Sequence, residues 1–207
     1  MRTPRALGLA AAFCAALVCA SPAGAGETVT VCFNYGCLAQ ADVSFSDAQL
    51  AEVARSLAAA NSPGEEREAL GKAVGRLLGW AGEQSPIAAD RGGNYADDNV
   101  YGRMDCIDHA TTTTRLLRLL ERRGALRFHR VLEPALRYRM LLFQHYSALI
   151  EEKIAGRPAT ETNAADAEPE ERPVRFVVDS WFFDNGHPAA VMPLADWLRG
   201  ETPDDDR

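Results

Sequence analysis

The residue in this chain best suited to covalent chemistry is a thiol. In "GRMDCIDHATTTTRLL", residues 102–117, Cys106 lies between Asp105 and Asp108 at what reads as the mouth of a helix. A helix beginning near Asp105 puts Cys106 in its first turn. Unpaired backbone N–H groups and the positive end of the dipole there favour a thiolate, the form of cysteine that attacks carbonyl carbon. Asp105 is the natural N-cap. Its charge opposes a neighbouring thiolate, so a cation must outweigh it, and an imidazolium is the expected partner.

Positions 106, 110, 113, 117 and 120 hold Cys, Ala, Thr, Leu and Leu, one stripe at helical spacing. Cys106 therefore points with the apolar stripe toward a sheet, and the histidine that helps it should project from a strand. Of the four histidines, His109 falls off the stripe and reads as a surface or supporting residue, His129 as a core or rim residue of a strand, and His187 as part of a solvated turn. His145 opens "HYSALIEEKI", where a strand entry can reach a helix end across the rim of a sheet. Such a histidine needs an acceptor on its other nitrogen. "FVVDSW" supplies Asp179 within an apolar strand, where a carboxylate is costly unless paired. If strands 145–154 and 174–181 pair antiparallel, the start of one lies near the end of the other, bringing His145 to Asp179. Alone, Asp179 would read as an acid at a strand-end turn. Asp184 in "FFDNG" is the competing acid, although Asp-Asn-Gly is turn-forming.

The remaining cysteines set the redox context. "MRTPRALGLAAAFCAALVCASPAGAGE" reads as a secretory signal, with Arg2 and Arg5 before an apolar stretch and Ala23-Gly24-Ala25 as the cleavage pattern. Its apolar run, about 15 residues, is short of the roughly 20 needed to span a bilayer. The expected destination is an oxidising compartment, most simply the periplasm, with no integral membrane segment after cleavage. Loss of residues 1–25 removes Cys14 and Cys19 and leaves Cys32, Cys37 and Cys106. "CFNYGC" sets Cys32 and Cys37 across a turn-prone Asn-Tyr-Gly, so these two are expected to form a disulfide and leave Cys106 free. The leader carries two arginines and no acid, so its removal takes the net charge from −7 to −9. That balance gives no electrostatic footprint for nucleic acid or an anionic membrane.

The elements that must position these groups follow from pattern. "ETVTVCF" alternates as a strand, and "CLAQADVSF" can return beside it. Ser46 and Gln49 form a capping box for a helix through "DAQLAEVARSLAAA", and Pro63 starts a second, "EEREALGKAVGRLLGWAG". Residues 83–104 are turn-rich and polar, a loop long enough to suggest function. The third helix runs from about Asp105 to Arg123, with Gly124 as its stop. "ALRFHRVLE", "HYSALIEEKI" and "VRFVVDSWFF" are strands, with a weaker pattern from Pro134 to Phe143 and a short helix at "LADWL". The result is an α+β fold in one domain, 26–200, with a mobile acidic insertion at 155–173 and a disordered tail at 201–207.

The order "DCIDHATTTTRLLRLLERRG", "HYSALI", "FVVDSW" over roughly residues 95–185 resembles the transglutaminase-like superfamily of papain-type folds, and most closely its bacterial cysteine proteinases. The resemblance implies a papain/transglutaminase-like fold, with a catalytic helix packed against an antiparallel sheet. It also implies Cys106 as nucleophile, His145 as general base and acid, and Asp179 as the residue that orients the imidazole. Ile107 stands where calcium-dependent members resemble Asp-Cys-Glu-Asp, so no calcium is expected, and the scattered Cys and His lack zinc spacing. No cofactor is expected.

The expected reaction is cleavage of an amide in a protein or peptide by a periplasmic cysteine peptidase or amidase, through an acyl-enzyme. Backbone N–H at the helix start would hold the oxyanion, with Asn94, Asn99 and Tyr101 as candidates for a second donor. Entry of an amine in place of water would make the protein an acyltransferase. A non-catalytic binding or scaffold domain on the same fold is the other alternative.

Overall fold

Strict alternation of Val and Thr against polar neighbours produces the first hairpin, β1 (Glu27–Phe33) and β2 (Ala39–Phe45), antiparallel with Glu27 opposite Phe45 and Phe33 opposite Ala39. Val29, Val31 and Phe33 turn inward with Val43 and Phe45, while Thr30 donates to Asp42 on the outer face at 2.6 Å. The structure, a computed structural model, describes residues 26–93, 95–139, 143–154 and 173–203. The expected leader, nearly all of the acidic insertion and the end of the tail lie outside the described residues.

Helix α1 (Asp47–Ala58) begins at the Ser46–Gln49 capping box, and α2 (Pro63–Gly82) begins at Pro63 behind the Ser62 cap. Their apolar stripes, Leu50, Val53 and Leu57 with Leu70, Val74 and Leu77, meet in the main core. A short 3-10 turn, Pro86–Ala89, then opens the long loop before α3 (Cys106–Arg122).

Four antiparallel strands complete the chain in the order β3 (His129–Arg139), β4 (Phe143–Glu152), β5 (Arg175–Asp179) and β6 (Ala190–Pro193), with α4 (Leu194–Leu198) behind them. The expected strand at 125–133 starts later and runs further. Pro134, which has no N–H to give the ladder, is absorbed by a register shift between Leu132 and Ala135. Strand β6 was not legible, because four residues are too few for a periodic signal. Glu201, expected in the tail, is held: its N–H donates to Asp196 O, and its carbonyl accepts from Arg137.

The two faces of the sheet serve different layers. Ala148, Ile150, Phe176 and Val178 join the main core with α2 and α3. Leu149 and Val177 join Trp197 of α4 in a smaller cluster on the other face. The architecture is α+β, as expected, but α3 is covered on both sides. Beyond its packing on β3 and β4 it lies against β1, where Thr112 Oγ1 accepts from Cys32 N at 2.9 Å and Arg115 reaches Thr30 O. Nearly the whole helix is therefore interior, and Ala110, Thr113, Leu117 and Leu120 of the stripe are all buried.

Candidate active site

Cys106 is the first residue of α3. Asp105 caps the helix, its Oδ1 accepting from Ile107 N at 3.0 Å and Asp108 N at 2.9 Å, and Asp108 returns the bond by accepting from Asp105 N at 3.2 Å. His109 N takes Asp105 O. Among the described residues this leaves the Cys106 N–H as the first-turn amide with no assigned acceptor, so it is the donor available to an incoming oxygen. The sulfur itself is half-buried and stands 3.9 Å from the carbonyl oxygen of Gln144, next to His145.

The turn that carries the disulfide meets both acids at this helix start. Cys32 and Cys37 are bonded, as expected. Between them Asn34, Tyr35, Gly36 and Cys37 all have left-handed backbone, with φ of 64°, 65°, 61° and 60°. In a tight turn successive N–H groups can face a common hollow, and here the hollow holds the two acids flanking Cys106. Tyr35 N donates to Asp108 Oδ2 at 2.8 Å, Cys37 N to Asp108 Oδ1 at 2.6 Å, and Gly36 N to Asp105 Oδ2 at 2.9 Å. The three non-glycine residues cost roughly 1–2 kcal/mol each in this conformation. A disulfide closing so short a loop contributes about 2 kcal/mol, whereas hydrogen bonds to charged groups contribute about 1.5–3 kcal/mol each. Strain and carboxylate bonds largely offset each other, so the disulfide's contribution keeps the turn closed. Burial and the Asp105 charge still push the Asp108 carboxyl up to about 6, against the pull of the amides of Asp105, Cys37 and Tyr35.

Strand β4 delivers the imidazole. His145 Nε2 lies 2.8 Å from Asp179 Oδ2, which leaves Nδ1 as the other ring nitrogen, and Cys106 is near enough to the ring to raise its pKa. The pair forms because β4 and β5 are antiparallel, with Ala148 opposite Val178, so the start of one strand meets the end of the other. Burial works against a charged ring, but the bonds to Asp179 and Cys106, with the charges of both, outweigh it and push His145 up to about 9. Asp179 is 1% exposed, and its oxygens also accept from Trp197 Nε1 at 3.0 Å and Trp181 N at 3.2 Å. Sulfur, imidazole and carboxylate are thus gathered at one place. No family model, curated protein or solved structure matches this protein.

The His145–Asp179 pair lies on the face shared with Trp197, and Cys106 reaches it around the end of the sheet. Asp184, the competing acid, is spent elsewhere: its Oδ1 accepts from Gly92 N at 3.0 Å. Of the candidate second oxyanion donors, Asn99 donates to Asp98 and the Tyr101 ring packs edge-on against Phe33, while Asn94 lies outside the described residues.

His109, off the stripe and read as a surface or supporting residue, is not at the surface. It is 4% exposed, with Nδ1 2.8 Å from Ser180 Oγ and Nε2 3.0 Å from Asp90 Oδ2. Asp90 Oδ1 also accepts from Met104 N, so this chain sews the pre-helix loop and α3 to the residue after Asp179. His129 is a core residue and His187 an exposed turn residue, as their patterns implied. Sequence reasoning missed Glu66, the fully buried partner of His129 at 2.8 Å.

An aromatic wall borders the imidazole. Trp181 and Phe182 lie 4.9 and 5.8 Å from the His145 ring, and Tyr95, 80% exposed, packs edge-on against Trp181 at 4.9 Å. Gly92 lets the loop bearing Tyr95 approach, since a Cβ there would sit 2.4 Å from Phe182 O. Cys32, Cys37 and Asp108 cluster closely enough to suggest metal ligands, but the sulfurs are bonded to each other and both carboxylate oxygens accept amides. A cavity of about 550 Å³ between α2 and the start of β6 includes Arg67, Lys72 and Ala189 and none of the Cys106–His145–Asp179 residues. No helix among the described residues is long and apolar enough to cross a membrane.

Proposed function

We propose that this protein is an exported, periplasmic cysteine peptidase or amidase of the transglutaminase-like, papain-type group. The observation that carries this reading is the placement of His145, between a free thiol at a helix start and a buried carboxylate. In the proposed resting state the sulfur is a thiolate and the ring an imidazolium. The sulfur attacks the carbonyl carbon of a substrate amide, forming a C–S bond, and the Cys106 N–H supports the oxyanion. As the C–N bond breaks, His145 gives its proton to the leaving amine. A water molecule then loses a proton to His145, its oxygen bonds the acyl carbon, and the C–S bond breaks to release a carboxylic acid and restore the thiolate. Asp179 holds the ring and its charge throughout.

The aromatic wall touches the residue that protonates the leaving group. It therefore supports a substrate whose apolar or aromatic side chain lies on the amine side of the cleaved bond. The test is alkylation of Cys106 by iodoacetamide at mildly acidic pH, paired with hydrolysis of peptide amides bearing such side chains. Fast labelling that His145→Ala slows by tenfold or more, with hydrolysis lost in Cys106→Ser, is the expected result. Labelling that occurs only on unfolding would exclude the reading.

A further inference from the structure

A carboxylate on either side of Cys106 should raise the free energy of a thiolate between them, yet this sequence places both there. We infer that the left-handed turn 34–37, closed by Cys32–Cys37, is a positioning and charge-screening element for Cys106. On this view the thiol is fully reactive only while the turn is closed. The inference rests on the proposed role of Cys106 as nucleophile and names a control on that same site.

Three N–H groups of the turn end on the oxygens of Asp105 and Asp108, at 2.6–2.9 Å. Two further bonds fix the turn to the chain just before the thiol. Asn34 N donates to Arg103 O at 2.7 Å, and Asn34 Oδ1 accepts from Gly102 N at 2.8 Å. Gly102 cannot be replaced freely, because its φ is +95° and a Cβ would lie 2.1 Å from Pro86 O. The turn thus fixes the approach to α3 and supplies positive N–H ends to the carboxylates that α3 needs as caps. Without it, Asp105 can still cap through Oδ1, but Asp105 Oδ2 and both Asp108 oxygens lose the turn amides that donate to them, and their charge acts on the sulfur.

The disulfide matters because a left-handed run of non-glycine residues is not held by its own backbone. Opening the ring lets Asn34, Tyr35 and Cys37 relax to right-handed or extended conformations, which turns the N–H groups away. A dithiol reductant delivers two electrons and two protons to the Cys32–Cys37 pair and leaves as a cyclic disulfide. It is therefore expected to slow Cys106, where a reductant ordinarily protects a catalytic thiol.

The experiment measures the rate of Cys106 alkylation by iodoacetamide at pH 7.5 in the full chain. Four variants are compared with the wild type: C32S/C37S, C32S/C37S/D108N, Gly36→Val and His145→Ala, with near-UV circular dichroism recording the fold. The expected result for C32S/C37S is a native spectrum with labelling about tenfold slower, the scale of one unit charge roughly 10 Å away at an effective dielectric near 20. Adding D108N should recover most of that loss.

Gly36→Val keeps the disulfide, and a Cβ there meets no atom within 4 Å, but its φ of +61° strains a β-branched residue, so it loosens the turn through its backbone. It should slow labelling about threefold, and this variant decides the question if C32S/C37S does not fold. Unchanged labelling in a folded C32S/C37S, or a loss that D108N does not recover, overturns the inference. Unchanged labelling in Gly36→Val overturns it where C32S/C37S is unfolded. His145→Ala reports separately on the triad: slowed labelling there beside unchanged turn variants sinks the screening role alone, and unchanged labelling there sinks the triad.

Discussion

Asp179 Oδ2 accepts from His145 Nε2 at 2.8 Å while the same oxygen accepts from the indole of Trp197 at 3.0 Å, so one buried oxygen is shared between the imidazole and α4. Trp197→Phe keeps an apolar ring and deletes the second donor to a charged acceptor. Its unfolding free energy should fall by about 1.5–3 kcal/mol, read by urea denaturation. In an Asp179→Ala background the same substitution should cost clearly less. Equal costs in the two backgrounds would show that the bond contributes nothing.

The pH dependence of His145 follows from its partners. Its value in the folded protein, about 9, lies above the ordinary 6.5. The stability that the charged ring contributes is therefore complete below pH 6.5 and is lost as the pH rises through 9. The contribution is on the order of 3 kcal/mol. Asp179→Asn should bring the imidazole titration, followed by NMR, down toward 6.5. The difference in unfolding free energy between wild type and Asp179→Asn should narrow between pH 6.5 and 10. A difference that widens across that range contradicts the pairing.

Tyr95 is mostly exposed and rests on Trp181, so Tyr95→Ala should leave the melting temperature within about 2 °C. On amides with an aromatic side chain next to the leaving nitrogen, kcat/KM should fall about tenfold, the scale of one aromatic contact. Most of that change should appear in KM. On amides with a glycine at that position the variant should match wild type, and an equal loss on both substrates would exclude the wall as a specificity element.

Glu66 holds the far end of the sheet in place. Its carboxylate is completely buried and accepts from Arg127 N at 2.7 Å and Phe128 N at 3.0 Å, besides pairing with His129. Burial alone would raise its pKa, but the His129 bond, these amides and the His129 charge outweigh burial and hold it below its ordinary 4.5. Its contribution is therefore present above that value and lost as the pH falls through the folded one. Glu66→Ala should destabilise by about 3–5 kcal/mol at pH 7, and the gap to wild type should shrink toward pH 3 in thermal melts.

Much of the site was legible because its signals are local. The N-cap at Asp105, the stripe through Leu117 and Leu120, and the Cys32–Cys37 pair each depend on residues within a few turns of chain. His145 and Asp179 could be joined only by supposing that two strands pair, and the register of Ala148 with Val178 supplies that pairing. His109 misled because helical spacing describes one buried face. In this fold α3 is enclosed on both sides, so a polar residue off the stripe is interior as well.

The sequence by itself determined which residues could react and which elements carry them, since capping, periodicity and cysteine pairing are written in neighbouring positions. Tertiary structure alone decided that the amides of turn 34–37 meet the acids beside Cys106, across sequence separations of 69 to 73. It also decided that Trp197 rather than solvent completes Asp179. These are contacts between backbone groups and side chains far apart in the chain, and no periodic pattern encodes them. They arise only when packing of the core has fixed the hairpin, α3 and the sheet against one another.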